Sequence, residues 1–92
     1  MALEEVKTLE KLRKNIDAVD EQLVQLLAQR LNISREIAKY KRQNNSPIMD
    51  EKRELEIIED RTAKFKELGI DDKRFVAELF GLIIRKSLEV QR

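Results

Sequence analysis

The sequence predicts an all-α protein with three helices, and two observations support this prediction. The 92 residues include two glycines and one proline, so few positions can interrupt regular secondary structure. Apolar residues recur every three or four positions, and no stretch alternates apolar and polar residues as a β-strand would. At this length we expect the chain to form one domain over residues 1–92.

The first and longest helix is expected over about residues 3–43. Its apolar residues form a seam with steps of three and four, in which Arg30 fills one position. This apolar seam consists of Leu9, Leu12, Ile16, Val19, Leu23, Leu26, Ile33, Ile37 and Tyr40. A helix of about 40 residues is about 60 Å long, whereas a compact chain of this size has a radius of gyration of about 12 Å. We therefore expect this helix to pack against a second copy of itself, although a plain coiled coil would show the same periodicity.

Two shorter helices are expected over about residues 50–68 and 71–91. A polar stretch that contains the single proline separates the first helix from the second. Asp50 is a suitable N-cap for the second helix, and Gly69 is a natural C-terminal cap. We expect Asp71 to be the N-cap of the third helix.

The composition excludes several classes of function. The chain has no cysteine and no histidine, which removes disulfides, thiol nucleophiles, the usual general base and the commonest metal ligand. We therefore expect neither a metal nor a cofactor. The net charge of +1 is not the basic excess of a nucleic-acid-binding protein. No apolar run approaches the roughly 20 residues of a membrane span, and the N-terminus does not resemble a signal peptide, so we expect a cytoplasmic protein.

Three basic residues of the first helix are candidates for binding an anion. Arg30 interrupts the apolar seam, where it either fixes the register of a helix pair or contributes to an anion pocket. Lys41 lies about 20° around the helix from Arg30 and about 16 Å along it, so the two side chains could hold one small anion. The alternative for Lys41 is a solvated basic residue that the dipole at a helix C-terminus favours. Taken alone, Arg13 can be an ordinary surface arginine.

Polar residues also mark the start of the second helix and the end of the third. Asp50, Arg53 and Glu54 share the first turn of the second helix, where capping and the helix dipole already account for them. Ser87 and Gln91 continue an apolar stripe of the third helix at spacings of three and four. Such a stripe either meets a pocket at its polar end or frays into water there.

The candidate residues fall into ordered motifs that extend from about Leu9 to Gln91. The motifs are Leu12-Arg13-x-x-Ile16, Leu26-Leu27-Ala28-Gln29-Arg30, Lys39-Tyr40-Lys41, Pro47-Ile48-x-Asp50-x-x-Arg53-Glu54 and Phe80-x-Leu82-Ile83-Ile84-x-x-Ser87-x-x-x-Gln91. This set resembles the all-helical, AroQ-type chorismate mutase family, whose eight functional positions it fills in order. The resemblance covers nearly the whole chain, including both connections between helices.

The resemblance implies an intertwined six-helix homodimer with two active sites. Each site would take Arg13 from one chain and the remaining residues from the other. Arg13 and Arg30 would bind the two carboxylates of chorismate, a dianionic substrate. Lys41 would bond to a carboxylate and to the ether oxygen, and Gln91 would bond to the ether oxygen from the other side. Glu54 and the backbone of Asp50 would hold the ring hydroxyl. Arg53 and Ser87 would support the carboxylates.

The implied reaction is the intramolecular Claisen rearrangement of chorismate to prephenate, a step of the shikimate pathway toward phenylalanine and tyrosine. It needs no proton transfer, covalent intermediate or metal, which suits a chain without histidine and cysteine. Such an isomerase orients its substrate and stabilises the negative charge that grows on the ether oxygen. Two alternatives are an isochorismate–pyruvate lyase on the same fold and a helical dimerisation module without chemistry.

Overall fold

A computed structural model describes the backbone of residues 2–92 and the side chains of residues 8–92. The chain forms three helices, α1 (Ala2–Gln43), α2 (Glu51–Glu67) and α3 (Lys73–Gln91), and the described backbone contains no strand. The predicted all-α class with three helices is therefore confirmed. The chain divides into two compact units, Met1–Arg30 and Leu31–Arg92, so that α1 contributes to both.

The part of α1 in the first unit exposes its share of the apolar seam. The six seam residues from Leu9 to Leu26 are between 47% and 61% exposed. An open groove of about 410 Å³ follows them, lined by Leu12, Asn15, Ile16, Val19 and Asp20. Helices of soluble proteins normally bury such a stripe against another element, so this surface is suited to helix–helix packing.

The core of the second unit consists of a few small and branched side chains from all three helices. Its buried apolar residues are Ala38, Ile57, Val76 and Ile84. Val76 is fully buried, and it lies in the first turns of α3. Next to the connection between α2 and α3, the rings of Phe65 and Phe75 meet edge to face with centroids 5.9 Å apart. This geometry is favourable for aromatic pairs and holds the two helices together at that end.

A small charged cluster on α2 supports the packing of α2 on α3. The Asp60 carboxylate accepts hydrogen bonds from Lys64 at 3.0 Å and from Arg61 at 2.6 Å. These two hydrogen bonds lower the pKa of Asp60 from its usual 3.8, and the bond from Lys64 has the larger effect. The charged carboxylate orients Arg61, whose guanidinium carbon lies 5.9 Å from the centre of the Phe80 ring on α3.

Just after α1 lies a residue whose backbone is in the left-handed conformation, and this residue is not glycine. Asn45 has a φ of +52°, and asparagine tolerates this region better than most residues. The Ser46 N–H donates to the Lys41 carbonyl at 2.8 Å, and the Asn45 N–H donates to the Arg42 carbonyl at 3.4 Å. This pair of bonds is a Schellman motif, which closes α1 and folds the chain back toward α2.

The C-terminus of α2 has the same motif, here with glycine in the left-handed position. Gly69 has a φ of +89°. The Ile70 N–H donates to the Phe65 carbonyl at 2.9 Å, and the Gly69 N–H donates to the Lys66 carbonyl at 3.0 Å. The prediction that Gly69 ends the second helix is confirmed.

Replacing Gly69 with alanine is expected to lower the free energy of unfolding by about 1–2 kcal/mol, the cost of a left-handed conformation for a residue with a Cβ. A Cβ at this position would meet no other group within 4 Å, so backbone strain alone sets the effect. Urea unfolding followed by circular dichroism measures it. The matched variant Gly69→Asn should lose less stability, and an alanine variant as stable as the wild type would contradict this account.

The N-caps of α2 and α3 are aspartates, but that of α3 differs from the prediction. Asp50 caps α2 by accepting a hydrogen bond from the Arg53 N–H at 3.1 Å, as predicted. Asp72, and not Asp71, caps α3, and its side chain accepts from the Phe75 N–H at 3.0 Å. The prediction of Asp71 was therefore wrong by one residue. The backbone of Asp72 is not yet helical, with φ −143° and ψ 85°, so the connection from α2 runs one residue further before α3 begins.

Candidate active site

A cleft in the second unit lies beside the connection between α1 and α2. Its volume is about 680 Å³. The lining residues are Ile37, Tyr40, Lys41, Ser46, Pro47, Met49, Asp50 and Glu51. Lys41 and Asp50 belong to the predicted site, and the structure brings these two residues together from different helices. Tyr40, Met49 and Glu51 were not predicted to line a site.

Lys41 is the cation of this cleft, and a backbone bond fixes its position. Its side chain is half-buried, and Nζ donates to the Ile48 carbonyl at 2.7 Å. The Schellman turn after α1 makes this bond possible because it returns the chain past the end of the helix. An ammonium group has three donors, and a carbonyl does not neutralise its charge. Lys41 is therefore oriented while it keeps its charge and further donors for an anionic ligand.

The N-cap and the first turn of α2 carry Asp50 and two further predicted residues, Arg53 and Glu54. The Asp50 carboxylate is engaged in capping, and the Asp50 carbonyl accepts from the Glu54 N–H at 3.0 Å. Glu54 is half-buried, whereas Arg53 is exposed. A capped N-terminus holds this turn rigidly, which gives the side chains that leave it a defined direction.

Ser87 and Gln91 are buried at the end of α3, each only 6% exposed. The sequence allowed the polar end of the α3 stripe either to meet a pocket or to fray into water, and this burial shows that it does not fray. Among the residues that the structure describes, none donates a hydrogen bond to the buried side-chain oxygen Oε1 of Gln91. An unpaired buried acceptor costs about 1–3 kcal/mol, so this atom calls for a donor from outside the described chain.

Of the predicted arginines, Arg13 and Arg30 belong to the first unit. Arg13 is exposed and Arg30 is half-buried. They are 17 residues apart on one continuous helix, which separates them by about 25 Å along its axis. A single small ligand cannot contact both of them on the same chain.

The residues that the structure describes were compared with two other kinds of functional feature, metal sites and membrane spans. Within residues 8–92, no three or more acidic side chains are grouped closely enough to hold a metal ion. Of the helices as described, none combines the length and the apolar character that a membrane crossing requires.

Comparison with known families identifies the group to which the protein belongs. Residues 12–92 match the family model of chorismate mutase type II. The chain belongs to this family. All eight predicted site residues, from Arg13 to Gln91, lie inside the matched region. The family resemblance found in the sequence is confirmed.

Named relatives agree with this family, and one solved structure has a similar fold. The chorismate mutase of Methanocaldococcus jannaschii is 31% identical over 88 residues, which cover 95% of this chain and 87% of that protein. A bifunctional chorismate mutase/prephenate dehydratase of Buchnera aphidicola is 36% identical over 80 residues, which cover 87% of this chain. This chain spans about a fifth of the length of that bifunctional relative. A conserved hypothetical protein from Pyrococcus furiosus is 40% identical with a TM-score of 0.74, over 92% of this chain and 96% of that one.

Proposed function

We propose that the protein is a chorismate mutase, an isomerase that converts chorismate to prephenate for the synthesis of phenylalanine and tyrosine. The observation that carries the proposal is the family match over residues 12–92. It is supported by the Methanocaldococcus jannaschii chorismate mutase, which this chain matches over most of both sequences. The names of the bifunctional relatives combine chorismate mutase with prephenate dehydratase. The second activity is named for prephenate, the product of this rearrangement.

The proposed mechanism is electrostatic and needs no proton transfer. As the ether bond of chorismate breaks, negative charge grows on its oxygen, and Lys41 and Gln91 donate hydrogen bonds to that oxygen. Lys41 is suited to this role because its Nζ is oriented by the Ile48 carbonyl and keeps its charge. Gln91 is suited because its amide is buried, where low polarity of the surroundings strengthens a hydrogen bond to a developing charge.

The remaining predicted residues are proposed to bind and orient the substrate. Arginine forms paired hydrogen bonds to carboxylates, so Arg13 and Arg30 would each hold one carboxylate of chorismate. Arg53 and Ser87 would support these carboxylates. The ring hydroxyl would be bound by Glu54 and the backbone of Asp50, which lie in the rigid first turn of α2. Holding the flexible enolpyruvyl arm over the ring in this way lowers the entropic part of the barrier.

An activity assay with the purified protein tests the proposal. We expect loss of chorismate, followed by its ultraviolet absorbance, together with prephenate that is detected as phenylpyruvate after acid treatment. Isochorismate is assayed in parallel. Release of pyruvate from isochorismate without any prephenate would replace the proposal with the lyase. No turnover of either substrate by the folded protein would leave a dimerisation module.

We also propose that the active protein is a homodimer in which α1 packs against its copy. The support is the exposed apolar seam from Leu9 to Leu26, on a helix of 42 residues that is about 63 Å long. A dimer would also bring Arg13 and Arg30 into one active site despite their separation along the helix, because each site would take Arg13 from one protomer and Arg30 from its partner.

The substitution Ile16→Lys is expected to convert this dimer to monomers at micromolar concentration and to abolish activity. Ile16 lies in the seam and is 59% exposed within one chain, and burying an unpaired lysine there costs several kcal/mol per copy. Sedimentation velocity measures the change. Gln25 lies on the opposite face of α1, so Gln25→Lys is the matched control and should stay dimeric. A dimeric, active Ile16→Lys variant would disprove the assembly.

A further inference from the structure

Arg42 makes a long-range hydrogen bond that none of the predicted roles includes. It lies in the last turn of α1, and its Nη1 donates to the main-chain carbonyl of Gln91 at 3.3 Å. The two residues are 49 positions apart in the sequence and belong to the same compact unit. The bond therefore ties the end of α1 to the end of α3.

The last turn of α3 has a physical need for such a bond. The final carbonyls of a helix have no partner within the helix, and they form the negative end of its dipole. The last turn of α3 contains no basic residue, and the C-cap Arg92 directly after it donates its main-chain N–H to the Glu89 carbonyl. Arg42 supplies from α1 both a donor and a positive charge. Its planar group, with five donors, is well suited to such a carbonyl.

The bond matters for function because it acts on the residue that carries the buried amide. The Gln91 side chain is 6% exposed, and its Oε1 has no hydrogen-bond partner among the residues that the structure describes. No hydrogen bond to that oxygen fixes the amide, so the place of the side chain depends on the packing around it and on the position of the last helical turn. An arginine near the end of α1 is otherwise explained by the dipole of α1 alone, but that explanation does not require a contact with Gln91.

We propose that Arg42 is a positioning residue that holds the Gln91 amide in the active site through its hydrogen bond to the Gln91 main-chain carbonyl. Arg42 itself does not touch the substrate. This inference rests on the proposed function, because it assigns Arg42 to the donor that stabilises the ether oxygen. It predicts an effect on the rate of the rearrangement rather than on substrate affinity.

The first experiment measures steady-state kinetics of Arg42→Gln and Arg42→Lys in the full chain. We expect Arg42→Gln to lower kcat by about 10- to 100-fold, as misplacement of a catalytic group does, with KM within about twofold of the wild type. Arg42→Lys keeps a charged donor and should recover part of the lost rate. In the Gln91→Ala background, Arg42→Gln should change kcat by less than about twofold, since both substitutions act on the same donor.

Arg35→Gln is the matched control for this experiment. Arg35 is exposed, lies two turns earlier on nearly the same face of α1, and donates to Asn32. The control should retain wild-type kinetics. The proposal is overturned if Arg42→Gln keeps the wild-type kcat, or if its effect is as large in the Gln91→Ala background as in the wild type.

Hydrogen exchange separates this inference from the proposed function. The amides in the last turn of α3 should exchange about two- to tenfold faster in Arg42→Gln than in the wild type, which is the range for one lost hydrogen bond. This readout does not depend on turnover. If the wild type does not convert chorismate but Arg42→Gln exchanges faster than the wild type, the proposed function is wrong, whereas the hydrogen bond from Arg42 still positions Gln91. Unchanged exchange in that turn overturns the inference whatever the activity.

Discussion

The variant Lys41→Ala is expected to lower kcat by about 10²–10³-fold, equivalent to about 3–4 kcal/mol of lost transition-state stabilisation. The reason is that Lys41 is the charged donor of the cleft, and the ether oxygen gains negative charge only as the reaction proceeds. Initial rates over a range of chorismate concentrations provide kcat and KM. Lys39 is an exposed lysine on the same helix, so Lys39→Ala is the matched control and should remain within a few-fold of the wild type.

A second substitution distinguishes the charge of Lys41 from its contact with Ile48. The bond from Nζ to the Ile48 carbonyl also helps to hold the connection after α1, so loss of that bond could by itself disturb the site. Lys41→Gln can still donate to this carbonyl but carries no charge. We expect it to be nearly as inactive as Lys41→Ala, with thermal unfolding close to that of the wild type. A Lys41→Gln variant with wild-type kcat would show that the ammonium charge is not needed.

The second large effect is expected for Gln91, where Gln91→Leu should lower kcat by at least about 10²-fold. Leucine has a similar volume and fills the buried position, so the loss reports on the amide and not on a cavity. The fold should be kept or slightly stabilised, because the substitution removes a buried oxygen that has no hydrogen-bond partner among the described residues. Kinetics and thermal unfolding of the same preparation measure both effects.

Glu89→Gln is the control for Gln91→Leu. Glu89 lies two residues earlier on α3, is exposed, and pairs with Lys86 at 3.2 Å. Exposed pairs of this kind contribute little to stability, so we expect near wild-type behaviour in both measurements. If Gln91→Leu also stays within a few-fold of the wild-type kcat, Gln91 does not stabilise the ether oxygen.

The helices and most of their ends could be predicted from the sequence because their signals are local. The spacing of the seam, the capping side chain of Asp50 and the left-handed position of Gly69 each act within a few residues. The start of α3 could not be predicted to the residue. Asp71 and Asp72 are equally capable caps, and only the folded chain shows that Asp72 is the last residue with a non-helical backbone.

Prediction of the site depended more on family resemblance than on local chemistry. From its own neighbours, Gln91 could equally belong to a fraying helix end, and its burial is a result of folding. The partner of Lys41 had no sequence signal at all, because every residue has a carbonyl like that of Ile48. The same holds for Arg42, whose acceptor is the main chain of Gln91. Glu51 and Tyr40, which line the cleft, resemble ordinary exposed helical residues in sequence.

The bond from Lys41 to the Ile48 carbonyl has a consequence for how this chain can vary in evolution. It joins two residues that are seven positions apart, and so closes a short ring of chain that includes the whole turn after α1. Surface connections usually tolerate insertions and deletions. Here an added or lost residue would shift the carbonyl and turn the ammonium away from the cleft. Natural variants that keep this lysine active should therefore differ in the composition of this turn but keep its length.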